Sequence, residues 1–265
     1  MTPSLSICIV VRNGAADLPR TLASLDRQLA WLSRLPTEVV VVDGESTDAS
    51  ANLARAWASR CKLPVHLLSQ PPRGIYAAMN EAWLQARGEW LLFINAGDLL
   101  LDAAPLAAAQ ATANAGHQDS IQFGAAVFIP GASRGLWIPG RHPACHQSLV
   151  YRRNLHHLYG PYDDRLGICA DRLFIQRIPA HGRLLRPELL AATQVSPANA
   201  SRDPDRLRRD LGTIRALGLA FRPVSRPWLS LPVLRLERLL GISLSVWLRL
   251  GVHQLLGSVR TVDLD

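Results

Sequence analysis

Lysine is almost missing from this chain. Lys62 is the only one, so arginine carries nearly all of the positive charge. Cysteine is scarce as well. Cys8, Cys61, Cys145 and Cys169 are scattered, with no Cys-x-x-Cys spacing. That excludes a zinc ribbon or a disulfide framework and predicts reduced, mostly buried thiols, as in a cytosolic protein. No stretch reaches the roughly 18–20 uncharged apolar residues of a spanning helix; the longest apolar run near the C-terminus, Leu239–Leu248, is bounded by Arg238 and Arg249. Residues Met1–Val11 have neither a basic leader nor a long apolar core, so they read as a first strand and not as a signal peptide. Three phosphate and nucleophile motifs are missing too: Gly-x-Gly-x-x-Gly after the first strand, Gly-x-x-x-x-Gly-Lys-Ser/Thr, and Gly-x-Ser-x-Gly. Their absence removes the usual signatures of dinucleotide dehydrogenases, P-loop enzymes and serine hydrolases.

What remains is ample for a folded enzyme-sized body. The 265 residues are 48% hydrophobic, enough to bury a core without staples. The net charge of +8 points to anionic partners such as nucleotides or acidic lipids. Nucleic acid is not an expected partner, because no basic run is interleaved with aromatics and no nucleic-acid motif is legible.

The first hundred residues alternate strand and helix signals. Ser6–Val11, Glu38–Val42, Pro64–Leu68 and Trp90–Ile94 are short apolar runs of the kind that fill a buried parallel sheet. Between them, Leu18, Leu22, Leu25 and Leu29 recur at helical spacing. Ser46 or Thr47 can cap a helix reaching about Arg60, and residues Ile75–Ala86 are helical. Four strands with short crossovers predict a doubly wound α/β sheet, in which ligands bind at the carboxyl ends of the strands. Three of those ends carry polar or glycine punctuation: Arg12-Asn13-Gly14, Asp43-Gly44-Glu45-Ser46 and Asn95-Ala96-Gly97-Asp98. Further on, Ile121–Ile129 and Leu136–Ile138 read as strands. Leu207, Leu211, Ile214 and Leu217 keep helical spacing, and Trp228–Val259 is rich in Leu, Ile, Val and Trp with arginines interspersed. The expected division is residues 1–200 as the sheet domain and 201–265 as a basic, helical extension.

Asp43 ends a strand of four valines, where a carboxylate can hold a base or ribose; capping the next turn is the plainer role. Asp98 closes the fourth strand, suited either to a hard divalent cation or to capping a helix from Leu99. Asp171 lies at an apolar helix start, where it can serve as a general base or pair with Arg172 or Arg177. His146 and Gln147 precede a strand-like Ser148–Tyr151, and a lone histidine is more often structural than functional.

Together these pieces resemble the family 2 glycosyltransferases of the GT-A fold, over about residues 4–195. The resemblance rests on six ordered stretches: Ser6–Asn13 with the following Leu-rich helix, Val40–Asp48, Gly74–Ala82, Gly88–Asp98, Cys145–Ser148, and Gly160–Asp163 leading to Ala170-Asp171. It implies a mixed sheet with a Rossmann-like nucleotide-binding half and an acceptor half. It implies Arg12, Asn13 and Asp43 around the nucleotide, and Gly74 and Asn80 along the donor pocket. Asp98 would hold Mn²⁺ or Mg²⁺ against the diphosphate, Asp171 would be the base, and His146 and Gln147 would stand near the acceptor. The reaction so implied is an inverting transfer from a nucleoside-diphosphate sugar to a saccharide or lipid-linked acceptor. The chain departs from the pattern in its thinned acidic motif, with Asn95 and Gly97 where many members carry Asp, and in Gln70, Pro72, Arg73 and Ala77, where acids are common; Arg73 becomes a candidate diphosphate contact. Competing expectations are a non-catalytic sugar-nucleotide-binding protein and a nucleotidyltransferase. The latter is disfavoured because Arg12–Ala16 is too short for a glycine-rich basic loop and contains no lysine. The Leu/Trp-rich C-terminal segment is expected either to pack on the domain or to lie on an anionic membrane surface, at the inner face of the cell membrane.

Overall fold

The structure, a computed structural model, describes residues 2–138, 146–195, 203–221 and 261–264. Cys145 and the segment Trp228–Val259 lie outside the described residues. Strands β1 (Leu5–Val11) and β2 (Thr37–Asp43) are buried along their whole lengths. Their unbroken apolar runs are explained by cover on both faces. They pair in parallel, with Ile7 opposite Val39 and Val11 opposite Asp43. Strands β3 (Val65–Ser69) and β4 (Trp90–Phe93) extend the parallel set on either side. Beyond β4 the sheet turns antiparallel through β8 (Leu149–Arg152), β6 (Ser120–Phe128), β7 (Arg134–Ile138) and β10 (Thr261–Asp263). Two more strands branch from this path: β5 (Leu99–Leu100) pairs with β9 (Arg183–Gln194), and β9 runs parallel to β6.

Alternation along the strands divides the core into two. Ile7, Ile9, Val39, Val41 and Leu92 face α1 (Leu18–Arg27), α3 (Ser50–Ala58) and α5 (Leu106–Ala115), through Leu22, Leu25, Trp57, Ala109 and Ala113. A short helix, α2 (Leu29–Leu32), follows α1. On the opposite face, Cys8, Val10, Val40, Val42, Leu91 and Phe93 meet α4 (Ile75–Gln85), α6 (Leu155–Tyr159) and α7 (Ala170–Arg177), through Met79, Ala82, Leu155, Leu173 and Phe174. The period-2 placement of side chains on β1 and β2 therefore produces helices on both faces. Cys8, Cys61 and Cys169 are free thiols.

Two local expectations need correction. Helix α3 begins at Ser50, not near Ser46 or Thr47. Asp48 accepts from the Ser50 backbone N–H at 2.9 Å, while the Ser46 hydroxyl and the Thr47 N–H are drawn to Asn13 instead. Asp98 caps no helix, because Leu99 and Leu100 pair with Ala192 and Ala191 as strand β5. Helix α8 (Pro204–Ala216) forms where the leucine spacing predicts it. Its buried Asp210 accepts from the backbone N–H groups of Gly167, Ile168 and Cys169 at 2.8, 2.8 and 3.0 Å. That carboxylate anchors the approach to α7. At the far end of the chain, Thr261 pairs with Leu136 in the same sheet.

Candidate active site

The carboxyl ends of β1 and β4 open into a cleft of about 530 Å³. One wall is the turn Arg12–Gly14, with Asn13 in a left-handed conformation (φ +51°) that asparagine tolerates better than most residues. The Asn13 side chain accepts from the Thr47 N–H at 2.8 Å, and its own N–H donates to Ser46 at 2.9 Å. The loops after β1 and β2 are thereby tied together. Gly74 lines another wall at the start of α4. A Cβ there would meet open space, so it is the backbone (φ +103°), not crowding, that calls for glycine.

Asp98 lines the cleft yet is only 6% exposed. One of its oxygens accepts from Thr193 Oγ1 at 2.5 Å and the Gln194 N–H at 3.3 Å; the other accepts from Gln147 Nε2 at 2.7 Å. Burial pushes this carboxyl above its ordinary range despite those donors. Beside it, Asn95 Oδ1 and Gln147 Oε1 are buried oxygens without a hydrogen-bond partner, both on cleft-lining residues.

Asp171 sits in the first turn of α7 and takes two hydrogen bonds, from the Tyr76 hydroxyl at 2.8 Å and from His146 Nδ1 at 2.7 Å. An ionised carboxylate only accepts, so Nδ1 carries the proton. Burial pushes Asp171 upward, but the His146 hydrogen bond and charge, aided by Tyr76, outweigh it and leave the carboxyl below its ordinary value. Burial pulls His146 down, and the hydrogen bond and charge of Asp171 together with the charge of Asp98 bring it above its ordinary value. Among the described residues no ion pair joins Asp171 to the Arg172 or Arg177 side chain; the Arg177 guanidinium donates to the Tyr159 carbonyl at 2.8 Å. The other ring nitrogen, His146 Nε2, is 3.1 Å from Asn95 Nδ2. The consecutive residues His146 and Gln147 thus reach the two carboxylates separately, His146 holding Asp171 and Gln147 holding Asp98.

Arg12, Asn13, Gly74, Asp98 and Gln147 all line the cleft; Gln147, expected on the acceptor side, stands against Asp98 instead. Asp43 is buried beside it, with Oδ2 accepting from the Ser46 N–H at 3.0 Å and Oδ1 unpartnered. Arg73 belongs to the same connection as Gly74 but is not among the described lining residues. Asn80 departs from expectation: its carboxamide accepts from the Tyr162 N–H and donates to the Tyr162 carbonyl, both at 2.9 Å, so it clamps the loop before α7 and does not face the cleft. Sequence reasoning missed Tyr76, Thr193, Gln194 and Arg206 as members of this neighbourhood. It also missed Gln70 as a lining residue, and in Gln70 both amide atoms are buried without partners. Two of these carried a signal: Tyr76 stands two residues after the glycine that opens α4, and Gln70 stands in the connection that leads to that glycine.

The sequence profile described as glycosyl transferase family 2 matches residues 6–153. The chain belongs to that family. Among the relatives of this family 2 glycosyltransferase are the PGL/p-HBAD biosynthesis glycosyltransferases of Mycobacterium bovis and Mycobacterium tuberculosis, each 33% identical over 175 residues that span 64% of this chain and 67% of theirs. Among solved structures, a mannosyltransferase from Pyrobaculum calidifontis in complex with GDP-Man and Mn²⁺ superposes with a TM-score of 0.61 at 20% identity, covering 91% of this chain and 70% of that one. The TarS protein of S. aureus in complex with UDP gives 0.57 at 20% identity, over 83% of this chain and 67% of that one. These likenesses establish the GT-A architecture, and the family match makes the chain a glycosyltransferase.

Proposed function

We propose that this glycosyltransferase takes its sugar from a nucleoside diphosphate seated in the 530 Å³ cleft and moves it, with inversion, to a hydroxyl of a saccharide or lipid-linked acceptor. The observation that carries the reading is the pair of buried carboxylates bound to the consecutive residues His146 and Gln147. The structural neighbours bound to UDP or GDP-Man support a nucleotide-sugar donor.

Asp171 is the proposed general base. Tyr76 and His146 each donate to one of its oxygens, the Arg172 backbone adds to them, and a carboxylate has about four acceptor sites, so capacity is left for an incoming hydroxyl. As the acceptor oxygen attacks the anomeric carbon, the bond from that carbon to the diphosphate oxygen breaks and the hydroxyl proton passes to Asp171. The His146–Asp171 contact keeps the carboxylate ionised and aimed while it waits. Asp171 and His146 are not among the described lining residues of the cleft and adjoin it through Gln147 and Asn95; the charge of the departing diphosphate needs an answer within the cleft itself. Asp98, with the unpartnered Gln147 carboxamide oxygen beside it, offers hard oxygen donors of the kind a divalent cation prefers, so these residues fit Mn²⁺ or Mg²⁺. Such an ion, when bound, supplies neutralisation of the leaving diphosphate. Arg12 and Arg206 add fixed positive charge along the cleft.

The test is Asp171→Asn. Donor binding by calorimetry is expected to stay within about twofold, while turnover falls on the order of 10²–10⁴-fold. Near-normal turnover in that variant would take Asp171 out of the base role. Nucleotide binding by the wild type without any donor hydrolysis or transfer would instead favour a binding protein.

A further inference from the structure

Helix α4 works on two sides. Gly74, Ile75 and Ala78, at its start, line the donor cleft. Tyr76, Asn80 and Trp83 recur at the i, i+4, i+7 spacing of a different face. That face grips the surroundings of the base at three places. The Tyr76 hydroxyl donates to Asp171 Oδ1 at 2.8 Å. The Asn80 carboxamide holds the N–H and the carbonyl of Tyr162, both at 2.9 Å. The Trp83 ring lies 4.7 Å from His156, which stacks in turn 4.3 Å from Phe174 on α7. Asp171 is not among the described lining residues of the cleft. Its aim at the reacting atoms is therefore set by whatever holds the carboxylate.

Two side chains hold it, one on each oxygen. His146 takes Oδ2 from the turn before β8, and Tyr76 takes Oδ1 from α4. The terminal torsion of an aspartate is broad, so with one holder removed the carboxylate can turn about its Cβ–Cγ bond. The Tyr76 ring is 4% exposed and packs 5.8 Å from the Tyr162 ring, a contact that does not use the hydroxyl. Burial, assisted by the charge of Asp171, holds that hydroxyl well above the ordinary phenol range, so it remains a donor across the working pH. We propose that Tyr76 is a positioning residue for the transfer: its hydroxyl fixes the direction of the Asp171 carboxylate relative to a donor seated against Gly74 and Ile75. This rests on the reading of Asp171 as the base and adds the residue that ties the base to the donor wall. Misplacing a reacting group slows the chemical step even where the ligand still binds.

The experiment is Tyr76→Phe in the full chain, alone and combined with Asp171→Asn. Turnover is nucleotide release with Mn²⁺ present, from whichever of a panel of UDP-, GDP- and dTDP-sugars the wild type uses fastest, followed against pH. Affinity for the corresponding nucleoside diphosphate is measured by calorimetry. The phenyl ring keeps the packing, so Tm is expected to hold and affinity to stay within about twofold, while turnover falls on the order of tenfold. The Tyr76 hydrogen bond also lowers the Asp171 carboxyl, so the acid limb of the pH profile is expected to move upward in the variant. In the Asp171→Asn background the same change is expected to bring little further loss, because Tyr76 acts through the carboxylate. Unchanged turnover with an unmoved acid limb overturns the inference and leaves Asp171 standing as the base. An equal fold loss in both backgrounds, or affinity falling in step with turnover, overturns it as well, since Tyr76 would then act on the helix and not on the base. Near-normal turnover in Asp171→Asn alone, or no turnover of any sugar in the panel by the wild type, overturns the underlying reading together with this inference. Should Tyr76→Phe fail to fold, a ring-fluorinated tyrosine at that position, a stronger donor of nearly the same shape, is expected to move the acid limb downward; an unmoved limb overturns the inference.

Discussion

His156 provides a pH test whose size follows from its surroundings. The ring is 2% exposed and stacks between Trp83 and Phe174, with centroids 4.7 and 4.3 Å away. Its Nε2 meets the Tyr151 hydroxyl at 2.9 Å, and its Nδ1 is 3.3 Å from the Gly160 carbonyl. Burial pulls the imidazole from 6.5 to about 4, with the Gly160 carbonyl opposing and the nearby His157 assisting. Because the folded value is depressed, the unfolded chain binds the extra proton between pH 6.5 and pH 4, and stability falls as pH falls through that window. The full difference corresponds to roughly 3 kcal/mol at about 1.4 kcal/mol for each tenfold change in proton affinity. For a chain of this length the loss is a drop in Tm on the order of 5–10 °C between pH 7 and pH 4. His146 has the opposite sign: its folded value is raised, so its contribution is complete below 6.5 and is lost as pH rises through the folded value. The clean measurement is therefore the difference in Tm between wild type and His156→Phe, followed by circular dichroism from pH 7.5 to pH 4. The phenyl ring keeps the stacking and removes the titration, so wild type should lose its advantage over the variant as pH drops. A difference that stays constant across the window would refute the argument. Because Phe174 shares α7 with Asp171, activity should decline in the same range.

Three further outcomes follow from the site and its supports. Asp98→Ala should weaken Mn²⁺-dependent donor binding on the order of tenfold or more in calorimetry run with and without the ion; an unchanged metal response would place the cation elsewhere. Asp210→Ala strands three backbone donors leading into α7 and should cost at least about 3 kcal/mol in urea denaturation, with turnover falling alongside. A loss below about 1 kcal/mol would contradict the anchoring role. No helix among the described residues is long and apolar enough to cross a membrane. If the Leu/Trp-rich segment lies on lipid, the full chain should float with anionic liposomes and a chain lacking residues 225–265 should not.

The parallel half of the sheet was legible because its chemistry is local. A run such as Val39–Val42 has few other ways to be buried, and the polar residues that end such runs must face the carboxyl edge where ligands bind. Asp43 and Asp98 were found that way. Strand β9 was not, because Arg186, Pro187 and Glu188 interrupt its apolar pattern. Those three residues fall where the β6 pairing slips, between Leu185 and Leu189, and Arg186 pairs with Glu188 there. A proline is tolerated at such an irregularity, and no sequence period announces it. The price of missing β9 was missing Thr193 and Gln194, which hold Asp98. Asn80 failed for a different reason. A polar residue on a half-buried helix can serve a ligand or a backbone, and its actual partner, Tyr162, lies 82 positions away.

The two acids share burial and differ in what compensates it. Asp98 draws its hydrogen bonds from a hydroxyl, an amide side chain and a backbone N–H, all of them neutral. Asp171 draws one of its two from an imidazole that can carry a full positive charge. Neutral donors orient a buried carboxylate without cancelling its charge, so Asp98 stands to gain most from a cation arriving with the donor. The imidazole beside Asp171 supplies its compensation from within the chain. Environments that push two carboxylates in opposite directions divide labour between them. On this chain the division runs through one peptide bond, since His146 and Gln147 face different acids. Swapping the compensation, by His146→Gln, removes the charged partner and leaves both acids with neutral donors only. Asp171 should then lose its depression first, so the pH at which turnover falls away on the acid side should move upward while donor binding at neutral pH is kept. An acid limb that stays in place would mean that something other than the His146 contact keeps Asp171 ionised.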